Sequence, residues 1–297
     1  MKSTLSKDWK NALTHLRLHF SLLLMPVFLF ALSQAKEVDT FNATLAFLIL
    51  HLLVYPSSNL FNGYNDNDTG SVGGLKNPPP ANSNMLTLAN HLDVAAFLLS
   101  FFISSSFAIL VLTYIIFSRL YSYRYIRLKQ FPGIGFFVIF IFQGAFTFIM
   151  SKFGIVPYFD NYLYHDHHEL GYFTYAALAT SFQIGAIYPL TQIYQHQSDL
   201  ADDVITLSYK LGYRGTFVFS ATMFAVSNYF YFVHFKDSDI QTFYQLILAQ
   251  APIALYFIYW AIKVWIDSKN ANYKHTMRLN IIAATSLNLF FLYLIFK

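Results

Sequence analysis

Two clusters of acidic and amide side chains in this 297-residue chain have the composition of a divalent-cation site. In the first, Asn62 and Asp66 share one face of a helix at positions i and i+4, with Asn59 one turn earlier. In the second, Asp199 and Asp203 have the same spacing. Carboxylate and amide oxygens are the ligands that Mg²⁺ prefers, and proteins usually hold this ion with one or two carboxylates together with substrate phosphates. Two such faces on different helices therefore predict a Mg²⁺ site that binds a diphosphate.

Each cluster also has a purely structural interpretation. Asn, Asp and Gly are frequent in turns, so residues 59–70 fit a turn that ends a helix. Residues 194–203 fit a solvated acidic loop. The presence of both clusters on one face of the same protein favours the metal site over these alternatives.

A basic segment lies between the two acidic clusters, at residues 121–130, and contains Arg124, Arg127 and Lys129. Cations beside a membrane helix either serve only to orient the chain or bind anionic groups. On the same face as a metal site, fixed cations complete a clamp for a diphosphate. Lys76 and Lys210 are further candidates for this clamp.

The composition indicates that these clusters belong to a polytopic membrane protein. Hydrophobic residues make up 56% of the chain and charged residues only 11%, whereas soluble domains carry about 25% charged residues. The chain has no cysteine, which excludes disulfides, thiolate metal sites and cysteine nucleophiles. The formal net charge of +4 comes from basic residues that flank apolar segments, so we expect membrane lipids and no nucleic acid as partners.

Apolar segments long enough to cross a bilayer, about 20 residues each, predict an all-α integral membrane fold with nine transmembrane helices in one domain, residues 1–297. The apolar stretch 86–121 is too long for one crossing, and Ser104, Ser105 and Ser106 divide it into a hairpin of two helices. The predicted helices are 18–33, 42–60, 86–103, 105–121, 132–151, 171–192, 212–234, 242–265 and 278–296.

The basic residues predict the orientation of these helices. Lys and Arg are enriched on the cytoplasmic side of membrane proteins. With nine helices and a cytoplasmic N-terminus, the basic residues left outside are Lys36, Lys152, Lys236 and Lys297, out of 19 in the chain. This orientation places both acidic clusters and the basic segment on the cytoplasmic face.

The order and spacing of these elements resemble the UbiA superfamily of intramembrane prenyltransferases, whose members are similar nine-helix proteins. Asn62 and Asp66 match the first two positions of the family's Asn-x-x-x-Asp-x-x-x-Asp motif, and Asp199 and Asp203 match its Asp-x-x-x-Asp motif. Segments 121–129 and 206–212 are similar to the family's Tyr-Ser/Thr…Leu-Lys and Thr-Leu…Leu-Gly segments. The resemblance extends over nearly the whole chain.

The first motif departs from the family pattern. Its third position is Gly70 instead of Asp, and Asp68 lies two residues earlier. The family's following Arg-x-x-Arg-Pro is replaced by Gly-Gly-Leu-Lys-Asn-Pro at residues 73–78. These differences bear on the number of metal ions and on turnover more than on membership.

The resemblance implies Mg²⁺-dependent transfer of an isoprenyl group from an allylic diphosphate to a lipophilic, aromatic acceptor within the membrane. It also implies a central apolar cavity under a cytoplasmic cap and a location in the bacterial inner membrane. The implied Mg²⁺ ligands are Asn62, Asp66, Asp68, Asp199 and Asp203, with Asp66, Asp199 and Asp203 as catalytic residues. The implied substrate-binding residues are Asn62, Lys76, Tyr121, Arg127, Lys129 and Lys210. Asp202 and His196 are the nearby candidates for a general base.

Other functions remain open at this stage. A related transferase with phosphoribosyl diphosphate as donor, a cyclase that needs no acceptor, and a non-catalytic lipid-binding relative all agree with the same motifs. A transporter or channel agrees less well. Transporters place ionisable groups near the bilayer midplane on broken helices, whereas the acidic clusters here lie at one surface.

Overall fold

The computed structural model describes residues 6–67, 70–156 and 167–297. Over these residues it is helical without β-strands, which confirms the all-α prediction. Its helices are α1 (Lys7–His15), α2 (Leu18–Ser33), α3 (Thr40–Asp66), α4 (Ser83–Ser100), α5 (Ser105–Ser122), α6 (Pro132–Ile155), α7 (His167–Gln192), α8 (His196–Ala201), α9 (Leu207–Phe235), α10 (Ile240–Ile266) and α11 (Tyr273–Phe296).

Seven helical segments in the described part of the chain are long and apolar enough to cross a membrane. They are α1 with α2 as one segment, α3, α5, α6, α9, α10 and α11. Helices α4 and α7 occupy the third and sixth predicted spans, but they do not meet the same standard of apolarity. The polar residues of α4 include Asp93, whose carboxylate pairs with Arg119 of α5 inside the bundle.

Side chains at the helix starts explain many of the observed boundaries. Ser104, in the turn between α4 and α5, accepts a hydrogen bond from the N–H of Phe107 and so begins α5. Four other helices begin with the same kind of cap: Asn82 at α4, Thr206 at α9, Asp239 at α10 and Asn272 at α11. A side-chain oxygen at this position satisfies a backbone donor that the helix itself leaves unpaired.

Helix α1 is a feature that the apolar segments did not predict. It is separated from α2 by Arg17, which has a left-handed backbone conformation with φ of 50°. Ala12 of α1 is buried in a small core with Leu60 of α3 and with Met85 and Ala89 of α4. Helix α1 therefore covers the ends of α3 and α4.

Helix α3 continues six residues beyond the predicted end at residue 60, to Asp66. Asn67 ends it with a left-handed conformation, φ 50°. The helix contains a π-helical segment at Ile49–Val54, and α6 contains another at Phe140–Ala145. Because α3 extends this far, Asn59, Asn62 and Asp66 of the first acidic cluster lie on its last two turns.

The main hydrophobic core surrounds α2. The ring of Phe30 lies 5.3 Å from that of Phe148 in α6, 5.2 Å from that of Tyr231 in α9 and 5.0 Å from that of Phe291 in α11, measured between centroids. Large apolar side chains also cover the outer surface of the bundle. An exposed apolar surface of this kind is the one that a lipid environment requires.

Candidate active site

A cavity of about 270 Å³ lies inside the bundle and has a charged end. Its charged lining residues are Arg17, Asp66, Lys129 and Asp199. Arg17 and Lys129 lie between the long helices, Asp66 is the last residue of α3, and Asp199 lies on the short helix α8. The walls beyond them are largely apolar and come from α2, α6, α7 and α11, with Leu24, Val27, Ile139, Phe142, Ile187 and Leu287 among the lining residues. The cavity thus combines an ionic mouth with an apolar interior.

The first acidic cluster contributes three side chains of α3 to this lining, Asn59, Asn62 and Asp66. The Oδ1 atom of Asn62 accepts a hydrogen bond of 2.7 Å from the hydroxyl of Ser122 in α5. Asp66 is only 9% exposed and forms an ion pair with Lys129. The guanidinium of Arg127 lies 3.6 Å from the same carboxylate. The predicted helical face is therefore present, and the basic segment neutralises the charge of its one carboxylate, that of Asp66.

The second acidic cluster differs from the expectation. Asp199 lies on the short helix α8 and lines the cavity. Asp203 does not share its helical face, because α8 ends at Ala201 and Asp203 has a left-handed backbone with φ of 56°. The N–H of Asp203 donates to the carbonyl of Leu200, and that of Val204 donates to the carbonyl of Asp199, which closes the helix end. The predicted i, i+4 pair of Asp199 and Asp203 is wrong, and Asp203 is exposed outside the cavity lining.

Asp202 is the residue that this turn directs toward the basic segment. Its carboxylate pairs with Arg127 and lies 3.4 Å from a guanidinium nitrogen of Arg124. Burial disfavours the charged form of Arg127, but its hydrogen bonds and charge interactions with Asp202 and Asp66 outweigh this effect and raise its pKa. Arg127 consequently links the two acidic clusters as a permanent cation.

The other predicted substrate-binding residues divide into two groups. Tyr121 and Lys129 line the cavity, and the hydroxyl of Tyr121 is hydrogen-bonded to that of Tyr188 in α7. Lys76 and Lys210 are exposed and lie outside the lining. Asp68 lies outside the described residues.

Arg17 is a lining residue that the sequence pattern did not single out. It is 7% exposed, and it donates hydrogen bonds to the carbonyl of Gly73, at 3.0 Å, and to that of Asn59, at 3.2 Å. These bonds connect the α1–α2 break to the segment after the first acidic cluster. In the sequence Arg17 is one basic residue beside an apolar segment, a pattern that indicates only orientation.

Neither candidate for the general base lines the cavity in the described part of the chain. His196 is buried, forms a 2.8 Å hydrogen bond with the hydroxyl of Ser208 and stacks on the ring of Tyr213. Burial lowers the pKa of His196 to about 4. Asp202 is engaged by the arginines of the basic segment.

The donor set at the cavity mouth fits a magnesium ion that is bound partly by a substrate. Among the described residues no three acidic or histidine side chains converge on one point. Asn62, Asp66 and Asp199 nevertheless line the same cavity and offer hard oxygen ligands. Mg²⁺ is commonly held by one or two carboxylates with the remaining positions filled by substrate phosphates and water. Three side chains of this kind suffice for such a site.

The chain is similar in sequence to one protein family and in fold to several solved structures. The sequence pattern of the UbiA prenyltransferase family matches residues 23–282. No curated protein matches the chain in sequence. Among solved structures, a UbiA homologue from Archaeoglobus fulgidus bound to GPP and Mg²⁺ is similar, with a TM-score of 0.66, 14% identity, and coverage of 97% of this chain and all of the other.

Two further solved structures have the same fold. The A. fulgidus homologue bound to DMAPP and Mg²⁺ has a TM-score of 0.67 at 15% identity, and the match covers 96% of this chain and 99% of the other. A structure described for digeranylgeranylglyceryl phosphate synthase in membranes has a TM-score of 0.62 at 17% identity, over 98% of this chain and all of the other. At such identities the likeness concerns the fold alone.

Proposed function

The chain belongs to the UbiA prenyltransferase family, and we propose that it transfers an isoprenyl group from an allylic diphosphate to a lipophilic acceptor in an Mg²⁺-dependent reaction. The observation that supports this proposal is a cavity that combines a charged mouth with apolar walls. An isoprenyl diphosphate has the same division, with an ionic head and an apolar tail. The solved UbiA homologue with GPP and Mg²⁺ is in accord with this class of donor.

In this proposal the mouth of the cavity binds the diphosphate. Asn62, Asp66 and Asp199 hold Mg²⁺ through their oxygens, and Lys129 and Arg127 supply fixed positive charge. The ion, when bound, neutralises the charge that develops on the leaving diphosphate. Since Lys129 pairs with Asp66, its ammonium group lies where it would contact a phosphate of a donor bound at that carboxylate. We propose no substrate contact for Asp203, Lys76 or Lys210.

The apolar interior receives the isoprenyl tail and the acceptor. The bond between C1 of the donor and the bridging oxygen breaks, and its electron pair leaves with the diphosphate. C1 then bonds to a carbon of the acceptor, and the proton displaced from that carbon passes to water at the mouth. The rings of Tyr114, Phe142 and Tyr188 line the cavity, and aromatic faces stabilise a developing allylic cation.

We also propose the membrane arrangement that the charge distribution predicts. The protein is an integral membrane protein with the acidic clusters on the cytoplasmic face, and α4 and α7 complete nine spans. Asp93 and Arg119, at the α4–α5 contact, reduce the cost of polar groups in α4 because each is the other's counter-ion. A bacterial inner membrane is the location that we infer.

The test is Mg²⁺-dependent release of diphosphate from labelled C10, C15 and C20 allylic diphosphates by detergent-purified protein, with a native lipid extract as the source of acceptor. We expect release by the wild type and by Asp237→Ala, which changes an exposed residue outside the cavity lining. Release should be lost in Asp66→Ala and Asp199→Ala. Release that persists in both cavity variants, or that is absent together with Mg²⁺-dependent donor binding, contradicts the proposal. Donor consumption without added lipid identifies a cyclase instead.

A further inference from the structure

Three neutral amides line the cavity away from its charged mouth, Gln143 of α6, Gln183 of α7 and Asn280 of α11. The mouth ends of these helices lie together. Lys129, which lines the mouth, lies three residues before the start of α6. The ring of Tyr194, two residues after α7, lies 5.3 Å from that of Tyr273 at the start of α11. At 1.5 Å per residue, the amides lie about 17, 14 and 11 Å along their helices from those ends.

Two of these amides are buried, and one of them has a polar atom that the described residues leave without a hydrogen bond. Asn280 is 6% exposed, and its Oδ1 atom has no hydrogen-bond partner among them. Gln183 is 5% exposed, and its Oε1 atom accepts a 2.6 Å hydrogen bond from the hydroxyl of Tyr231. A buried amide without a partner is destabilising unless something else occupies the position. Asn280 is therefore a side chain that a bound molecule can satisfy.

The helix face that carries Asn280 leaves room for such a molecule. Asn280, Ala283, Ala284 and Leu287 line the cavity from one face of α11, at positions i, i+3, i+4 and i+7. The two alanines contribute only methyl groups next to the amide. A flat ring placed against them comes within reach of Asn280, whereas a larger side chain at either position would fill that volume.

The charges of the cavity restrict the chemistry of the molecule that binds there. The charged lining residues belong to the mouth, so the region of the three amides contains no counter-ion for an anion among the described residues. Burying a carboxylate or a phosphate without a counter-ion is strongly unfavourable. A hydroxyl group, in contrast, both donates to and accepts from an amide.

We propose that this region is an acceptor subsite that selects an uncharged, hydroxyl-bearing ring compound, which Asn280 recognises by hydrogen bonding. The inference rests on the proposed function and narrows its acceptor from lipophilic molecules in general to neutral ones. Gln183 and Gln143 supply the neighbouring polar contacts. Carboxylated and phosphorylated acceptors are disfavoured.

The test uses purified protein in nanodiscs with Mg²⁺ and an unreactive thiolo analogue of a C10 diphosphate. Binding of 2-naphthol is compared with that of 3-hydroxy-2-naphthoic acid, which adds one carboxylate to the same ring system. We expect 2-naphthol to bind at least tenfold more tightly. Asn280→Leu should weaken the binding of 2-naphthol about tenfold, which corresponds to the loss of one hydrogen bond. The same substitution should change the affinity for the donor analogue less than twofold.

Asn228→Leu is the matched control, because Asn228 lies within α9 and outside the cavity lining. It should leave both affinities unchanged, and Asn280→Ala serves if Asn280→Leu does not fold. Equal binding of the two naphthols, or an Asn280 variant that binds 2-naphthol as the wild type does, overturns the inference. An Asn280 variant that weakens only the binding of the donor analogue also overturns the inference, because Asn280 would then contact the isoprenyl tail and not the acceptor. Failure of the wild type to bind the donor analogue contradicts the proposed function itself.

Discussion

Asp66 and Lys129 form a buried ion pair at the cavity mouth. Substitutions of the two residues should therefore have strongly non-additive effects on the free energy of unfolding. Their side chains are 6% and 13% exposed. Replacing Asp66 by Asn leaves the Lys129 ammonium buried without its counter-ion, and breaking a buried pair in this way costs about 3 to 5 kcal/mol. Because Arg127 keeps its pair with Asp202, we expect the lower value, about 3 kcal/mol, and a fall in Tm of roughly 6 °C.

Lys129→Gln should cost less, because Arg127 remains 3.6 Å from the Asp66 carboxylate. We expect about 2 kcal/mol, the value of a hydrogen bond to a charged group. The double variant removes both charges, so it should lower the free energy of unfolding by about 3 kcal/mol. The sum of the two single effects is about 5 kcal/mol, so the coupling free energy is about 2 kcal/mol.

The assay is unfolding of the four proteins in one detergent without Mg²⁺, with the free energy of unfolding obtained from each transition. The matched control is the exposed pair of Lys236 and Asp237, whose charged atoms lie 3.8 Å apart and whose side chains are 43% and 64% exposed. Lys236→Gln and Asp237→Asn should be additive within about 0.5 kcal/mol. Additivity within the same margin for Asp66→Asn and Lys129→Gln would refute the interpretation of the mouth as a buried, mutually neutralised cluster.

Three further predictions concern packing, the second acidic cluster and pH. Gly144→Ala places a Cβ atom 2.4 Å from the backbone of α7 and should prevent correct packing, whereas Gly133→Ala meets no atom within 4 Å and should leave Tm within about 2 °C of the wild type. Asp199→Asn should weaken Mg²⁺-dependent binding of a diphosphate at least tenfold more than Asp203→Asn, measured by calorimetry, because Asp199 lines the cavity and Asp203 does not. Burial lowers the pKa of His196 from 6.5 to about 4, so its neutral ring stabilises the fold above pH 6.5 and this contribution declines as the pH falls toward 4. The Tm of the wild type should therefore fall more between pH 7 and pH 4.5 than that of His196→Gln, and equal falls would exclude this role.

The meeting of Asp66 with Lys129 could be anticipated from sequence, because both belong to polar segments at the same ends of apolar helices. Helix periodicity also places Asn62 and Asp66 on one face, as the structure has them. The i, i+4 spacing of Asp199 and Asp203 failed because α8 has only six residues and backbone hydrogen bonds close it before Asp203. A spacing rule assumes a helix long enough to contain both positions.

Arg17 and α1 show a second limit. Hydropathy identifies helices by apolar length, so a nine-residue amphipathic helix beside a span is invisible to it. Arg17 reaches the cavity lining because its own backbone is left-handed between α1 and α2, and because its side chain donates to the carbonyl groups of Asn59 and Gly73, which are distant in the sequence. Likewise, the apolar walls come from α2, α6, α7 and α11, whose mutual packing no single segment encodes.

The central claim is that one cavity binds an isoprenyl diphosphate with its head at the acidic mouth and its tail against the apolar walls. The most direct test is an experimental structure with Mn²⁺ in place of Mg²⁺ and an unreactive thiolo analogue of a C10 diphosphate, with the metal located by anomalous scattering. We predict metal density beside Asp66 and Asp199, phosphate oxygens near Lys129, and the tail near Leu24 and Val27 of α2. Metal or diphosphate bound elsewhere, or a tail outside the cavity, would contradict the account.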